Sequence, residues 1–217
     1  MTPSELLEQF RLDVADVATP YLWEDAEFFR YADEAQKQFT RLTDGIPEST
    51  SAAVTEISVT SGTDTYALSP LVLKVRAART LSDGRPLDVL NLEDMVTRGN
   101  YFDGRTGIVK VVVTGMDVDS VRVWPMPIAD MTVKLSVFRM PLLDITDTST
   151  AFEIAPQHHL NLLPWIKYRA YSKQDAEAFD KTRAADFKSV FETYCTAVKA
   201  EQARARHKPR AVAYGGI

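Results

Sequence analysis

The sequence predicts an α+β fold, and three observations predict it. Apolar residues recur at steps of three and four near both ends, over residues 3–42 and again after residue 156. Between about residues 55 and 140 they recur at period two. Closely spaced turn dipeptides punctuate that middle block, so its strands are expected to be mainly antiparallel. Amphipathic helices need partners for their apolar stripes. The expected architecture is therefore a four-helix lobe built from both chain ends, an inserted β lobe and an extended C-terminal tail. The expected boundaries are 1–47 and 151–206 for the helical lobe, 48–150 for the β lobe and 207–217 for the tail.

The first helix opens on Thr2 and Glu5 at capping-box spacing, with Pro3 at its first position. Leu7, Phe10, Val14 and Val17 form its expected apolar face, and Thr19-Pro20 ends it. A second helix runs from about Glu24 to Leu42. Acids on its first turn suit the helix dipole, its stripe is Phe28, Ala32, Ala35, Phe39 and Leu42, and Asp44-Gly45 closes it. Residues 48–55 read as a linker. At least six strands follow, carried by Ile57 and Val59; Leu73, Val75 and Ala77; the nearly continuous apolar run Ile108–Val113; Val121 and Val123; and Val133, Leu135 and Val137. Ser61-Gly62, Asp83-Gly84, Asp103-Gly104 and Met116-Asp117 mark turns, and Asn91–Arg98 reads as a short helix capped by Asn91 and stopped by Gly99. Pro156 opens a third helix bearing Leu160, Leu163, Ile166 and Ala170, which Pro164 is expected to kink or split. A fourth runs from about Asp175 beyond Ala200, with Phe179, Phe187, Val190, Tyr194 and Val198 on its face, and Pro209 breaks it.

Composition narrows the function classes. A chain of 217 residues with 45% hydrophobic and 25% charged residues can bury a core without disulfides. No apolar run reaches the ~20 residues of a bilayer crossing, and MTPSELLEQF lacks the pattern of a secretory signal. The lone cysteine, Cys195, excludes an intrachain disulfide and fits a reducing compartment. The net charge of −5 is uneven: residues 1–50 carry eleven acids against four bases, whereas Lys199–Ile217 carry five bases and one acid. A basic tail on an acidic body is not the broad basic face of a general nucleic-acid binder.

Catalytic signatures are missing. The sequence contains no phosphate loop, GxGxxG, HExxH, GxSxG or EF-hand pattern. His158 and His159 are adjacent, so on a helix they point about 100° apart, one expected toward the core and one toward water. Cys195 reads as an inert, partly buried thiol. Asp33 with Glu34, or Asp144 with Asp147, would serve glycoside hydrolysis only if a cleft held two carboxyls ~5–9 Å apart. Trp23, Trp124 and Trp165 read as core residues in preference to base-stacking platforms. No cofactor and no metal is expected.

YLWEDAEFFRYADEAQKQFTRLTDGI, TDTYALSPLVLKVRAART and the stretch from FRMPLLDITDTSTAFEIAPQHH through Tyr168-Arg169-Ala170-Tyr171 to Phe191 resemble, in that order, the head-to-tail adaptor proteins of tailed bacteriophages. These are also called head-completion, connector or tail-tubular proteins, and the podovirus-like versions are the most similar. The resemblance covers most of residues 3–195 and rests on apolar and aromatic spacing, with no catalytic motif in it.

The resemblance implies a virion protein, assembled in the bacterial host cytoplasm, that forms a homo-oligomeric ring, dodecameric in such families, below the portal protein. The ring would extend the DNA channel and dock the tail through a nozzle, tail-tube or fibre-binding protein. Genomic DNA would pass through without sequence-specific binding, with no membrane partner and no catalysis. Within that frame Arg204, Arg206, Lys208, Arg210, Val212, Tyr214 and Ile217 are the expected portal-binding residues, the bases for encounter and the apolar side chains as anchors. Asp13, Asp16, Glu24, Asp25 and Glu27 either line the channel, where like charge repels DNA phosphate, or form a solvated outer face. The alternatives are a virion-associated cell-wall hydrolase and a DNA-binding module that uses the basic tail.

Overall fold

The computed structural model describes residues 1–97, 104–174 and 178–206, and it is α+β. In chain order the elements are α1 (Pro3–Asp13), α2 (Asp25–Leu42), β1 (Ile46–Glu48), α3 (Ala52–Thr55), β2 (Glu56–Val59), β3 (Thr65–Ala67), β4 (Val72–Thr80) and β5 (Pro86–Asn91). They continue with α4 (Leu92–Thr97), β6 (Thr106–Gly107), β7 (Val111–Thr114), β8 (Ser120–Trp124), β9 (Met126–Pro127) and β10 (Met131–Arg139). The 3-10 turns Pro156–His158 and Leu160–Leu162 then lead into α5 (Leu163–Tyr171) and α6 (Lys181–Arg206). The chain divides into two compact units, Met1–Asp44 with Leu143–Ile217, and Gly45–Leu142.

The first unit is helical. Thr2 Oγ1 accepts the Glu5 N–H at 3.2 Å and the Glu5 carboxylate accepts the Thr2 N–H at 2.8 Å, so the capping box opens α1 as its sequence dictates. Its buried face is Pro3, Leu6, Phe10 and Arg11, not the expected Leu7, Val14 and Val17: the helix ends at Asp13, and Val17 lies beyond it, exposed. α2 follows its stripe, with Phe28, Ala32, Ala35 and Phe39 buried. Phe10 packs edge-on against Trp23 with ring centroids 5.6 Å apart, and Trp23 Nε1 donates to the Ala170 carbonyl at 3.2 Å, which ties the α1–α2 connection to α5. Pro164 splits the third helical stretch. 3-10 turns precede it and it sits in the first turn of α5, where its missing N–H costs nothing. α6 begins at Lys181 and buries Ala184, Phe191, Cys195 and Val198. Of the expected stripe Val198 is buried and Phe187 and Tyr194 are half-buried, but Phe179 and Val190 are exposed, and Phe191 packs tilted against Trp165 with ring centroids 5.1 Å apart. The expected start at Asp175 lies outside the described residues.

The second unit is a curled sheet of order β1-β10-β4-β5-β7-β8-β3, with β2 also on β10. The pairing is antiparallel except for β5 with β7, and for β6 with β9 in a separate two-stranded ladder. Val133, Leu135 and Val137 of the central β10 are fully buried, with Val59, Val112, Val121 and Val123 in the same core. The segment expected as a linker takes in Glu48, the last residue of β1, and all of α3. The carboxylate of Glu48 holds it by accepting the N–H groups of Ser49, Thr50 and Ser51 and by pairing with Arg139 at 3.1 Å. β4 departs from its expected alternation: Val72, Val75, Ala78 and Thr80 are buried, whereas Leu73 and Ala77 are exposed. Register shifts against β10, between Ser136 and Val137 and between Phe138 and Arg139, re-aim the side chains. Gly45 enters β1 at φ +97°, where a Cβ would meet the Phe138 Cβ at 3.0 Å, so only glycine fits there. The Asp94 N–H donates to Asn91 Oδ1 at 2.7 Å, capping α4, while its expected stop, Gly99, lies outside the described residues.

Candidate docking surfaces

The acids of the first unit are mostly engaged within it. Arg11 is buried and gathers several of its neighbours: Asp16 at 3.1 Å, Asp25, the Trp23 carbonyl at 3.3 Å, and the Tyr21 ring, whose centroid lies 3.4 Å from the guanidinium carbon. Asp16 is buried too, and it accepts the N–H groups of Leu22 at 2.9 Å and Trp23 at 3.3 Å. Its carboxylate is engaged in the interior of the unit. Asp13 pairs with Lys167 at 2.6 Å; burial pushes its carboxyl up, but hydrogen bonds from Lys167 and Gln9 outweigh this and hold it below its usual value. Glu27 pairs with Lys173 at 3.0 Å and accepts the Glu24 N–H at 3.4 Å. Glu24 and Asp25 remain exposed. Part of the excess charge counted along residues 1–50 is therefore answered within the unit, by Lys167 on Asp13 and Lys173 on Glu27.

The basic end of α6 stays helical through Arg206. Asp44 receives Lys199 at 2.9 Å and Arg206 at 3.3 Å, and both cations hold its carboxyl below the usual range, Lys199 foremost. Arg204 is exposed on the last turn. Lys208, Arg210, Val212, Tyr214 and Ile217 lie outside the described residues.

The second unit contains a cleft of about 520 Å³ between β4 and β5. Val72, Val75 and Val89 supply apolar wall, and Asp94, Asp117 and Asp119 supply charge.

The groups that suggested chemistry are used structurally. Asp33 receives Lys37 at 2.7 Å and the Ile145 N–H at 3.1 Å, Asp144 receives the same lysine at 2.6 Å, and Glu34 pairs with Arg169 at 3.2 Å. Asp147 accepts the Ser149 N–H at 2.7 Å. Both histidines are buried, contrary to the expectation of one facing water, because each ring has its own packing partner, Phe39 for His158 and Phe152 for His159. His158 Nδ1 meets the Tyr194 hydroxyl at 2.8 Å, and His159 lies between the carbonyls of Met1 at 2.7 Å and Ile154 at 2.9 Å. Burial pushes the Cys195 thiol up to about 12, which leaves it protonated and inert. Trp23 and Trp165 are buried, and Trp124 packs partly buried against Met95, Val111 and Val113. Among the described residues, no group of three His, Cys, Asp or Glu side chains is placed to hold a metal ion, and no helix is long and apolar enough to cross a membrane.

Geometry thus offers surfaces and a groove. No curated protein matches the chain. The model of the SU10 adaptor protein family matches residues 1–213.

Proposed function

Because the chain belongs to the SU10 adaptor protein family, a family of phage head–tail adaptors, we propose that copies of it close a ring between the portal of the head and the tail. The protein is a structural component of the virion whose work is contact with other head and tail proteins. The observation that carries the ring reading is the span of the match, which takes in residues of both units, so both belong to the adaptor. The helical unit supplies the ring wall: α2 and α6 both pack on α5, giving a stiff body suited to repetition. The β unit has a core of its own and supplies the tail-facing surface, on which a nozzle, tail-tube or fibre-binding protein docks. Glu24 and Asp25, exposed at the start of α2, are the side chains offered to a DNA channel, where their charge would let the genome slide without sticking. Assembly takes place in the host cytoplasm, before the particle is released.

The test is a phage lacking this chain. Particles made without it should be heads without tails, and supplying the protein to an extract should restore tailed, infectious particles. Normally tailed particles in its absence would overturn the reading.

A further inference from the structure

β4 and β5 run side by side at one end only. Ala78 faces Leu87 and Arg79 faces Pro86, and there the ladder stops. β5 leaves to pair with β7, Asp88–Asn91 against Val111–Thr114, while β4 stays with β10 back to Val72. Over Val72–Ala77, the edge of β4 that faces away from β10 has no strand against it among the described residues, although at its start the Val72 N–H already donates to the Ser69 carbonyl at 2.9 Å. The 520 Å³ cleft opens in this fork. An unpaired edge inside a sheet presents a row of backbone N–H and C=O groups, which is a template for a further strand.

We infer that the fork is a strand-binding groove whose occupant is the C-terminal segment Arg210–Tyr214 of a second copy of this chain. The inference rests on the multi-copy adaptor reading, because only a repeated chain brings each groove to a neighbour's segment. Four observations select this occupant. The first is pattern: Arg210, Val212 and Tyr214 alternate with Ala211 and Ala213, so an extended segment has one large-residue face and one small-residue face that permits close approach. No proline follows Pro209, so each residue of the segment retains the N–H that a ladder requires. The second is length: five residues span roughly 17 Å as a strand, within the roughly 20 Å of Val72–Ala77. The third is charge: among the described residues Asp94, Asp117 and Asp119 line the fork with Lys74, and the segment arrives with Lys208 and Arg210. The fourth is reach: residues 207–209 separate Arg206, the last described residue of α6, from the segment, and extended they carry Arg210 up to about 14 Å from Arg206, enough to enter a groove on an adjoining copy. Sequence alone assigns this segment to the portal; the fork is a docking surface that the chain itself carries.

Cysteine cross-linking of the full-length protein tests this. One preparation carries Leu73→Cys and the other Ala213→Cys. Leu73 is exposed and Ala213 lies on the small-residue face, so neither change removes an anchor, and Cys195, 1% exposed, stays silent. Paired strands bring Cα atoms within the 4.4–6.8 Å that a disulfide needs. Mild oxidation of the mixture should give a two-chain species whose peptide map shows the 73–213 link. Its yield should fall about tenfold when the groove preparation also carries Asp94→Lys, Asp117→Lys and Asp119→Lys. The inference is overturned if the folded preparations give no such link, or if charge reversal leaves the yield unchanged. It is also overturned if a chain bearing both cysteines closes only on itself, or if added portal protein takes the Ala213→Cys segment in place of the groove. The tails of particles made without this chain report on the adaptor reading separately, so its failure and that of the groove are distinguishable.

Discussion

At Glu48 a single carboxylate organises the entry to the sheet. It accepts the Thr50 hydroxyl and three successive N–H groups, and it receives Nε of Arg139 at 3.3 Å and Nη2 at 3.1 Å. Hydrogen bonds from Thr50 first, then from Ser51 and Arg139, hold its carboxyl far below the usual range. Both partners of the ion pair are about nine-tenths buried, so removing one charge leaves the other without compensation. Glu48→Gln should therefore cost about 3 kcal/mol in urea unfolding at pH 7. The sign with pH follows from the depressed folded pKa: the stabilisation is present above the unfolded value of 4.5 and is lost as pH falls below it. The gap between wild type and variant should narrow below pH 4.5, and a gap constant from pH 7 to pH 3 would contradict this role. Sequence gave no sign of it, because a glutamate beside Ser-Thr-Ser reads as polar loop and its partner Arg139 lies 91 positions away. Asp16 is a similar case: counted along the chain it is an acid among acids, and only folding places it against a buried arginine.

Among the elements, those with a local cause were legible. Capping boxes, turn glycines at positive φ and the proline at Pro164 act within a few residues, and each is found where its chemistry requires. The faces of α1 and α6 were misread because periodicity gives a stripe to within a step of one residue, and only tertiary packing chooses among neighbouring stripes. In α6 the buried line runs through Ala184 and Cys195, small residues with little hydrophobic weight, and so the larger Val190, with Phe179 ahead of the helix, drew the stripe toward solvent. Two substitutions separate the stripes in urea melts. Phe191→Ala should cost about 3–5 kcal/mol, because a fully buried ring is removed, whereas Val190→Ala should stay within about 0.5 kcal/mol. Equal effects would contradict the orientation of α6. The β4 bulges were hidden for a different reason, since they are set by pairing with β10 more than 50 residues later.

For the molecule as a whole, the α+β class and the division of labour between helical ends and a stranded middle were readable, because each periodicity extends over many residues. The candidate surfaces were less so. The fork between β4 and β5 exists because β5 turns to a parallel partner, and no local pattern encodes that choice. The acids proposed for a channel were chosen by charge, and the fold pairs Asp13, Asp16, Asp25 and Glu27 with its own bases. The adaptor reading makes an architectural demand that neither unit meets as a single copy: many identical chains must meet the portal together. The most direct measurement is the native mass of the purified protein mixed with its portal. The reading predicts one dominant complex, a portal ring carrying a complete ring of this chain, with few partly filled species because neighbouring copies reinforce one another. A chain that stays monomeric beside an unaltered portal would contradict it.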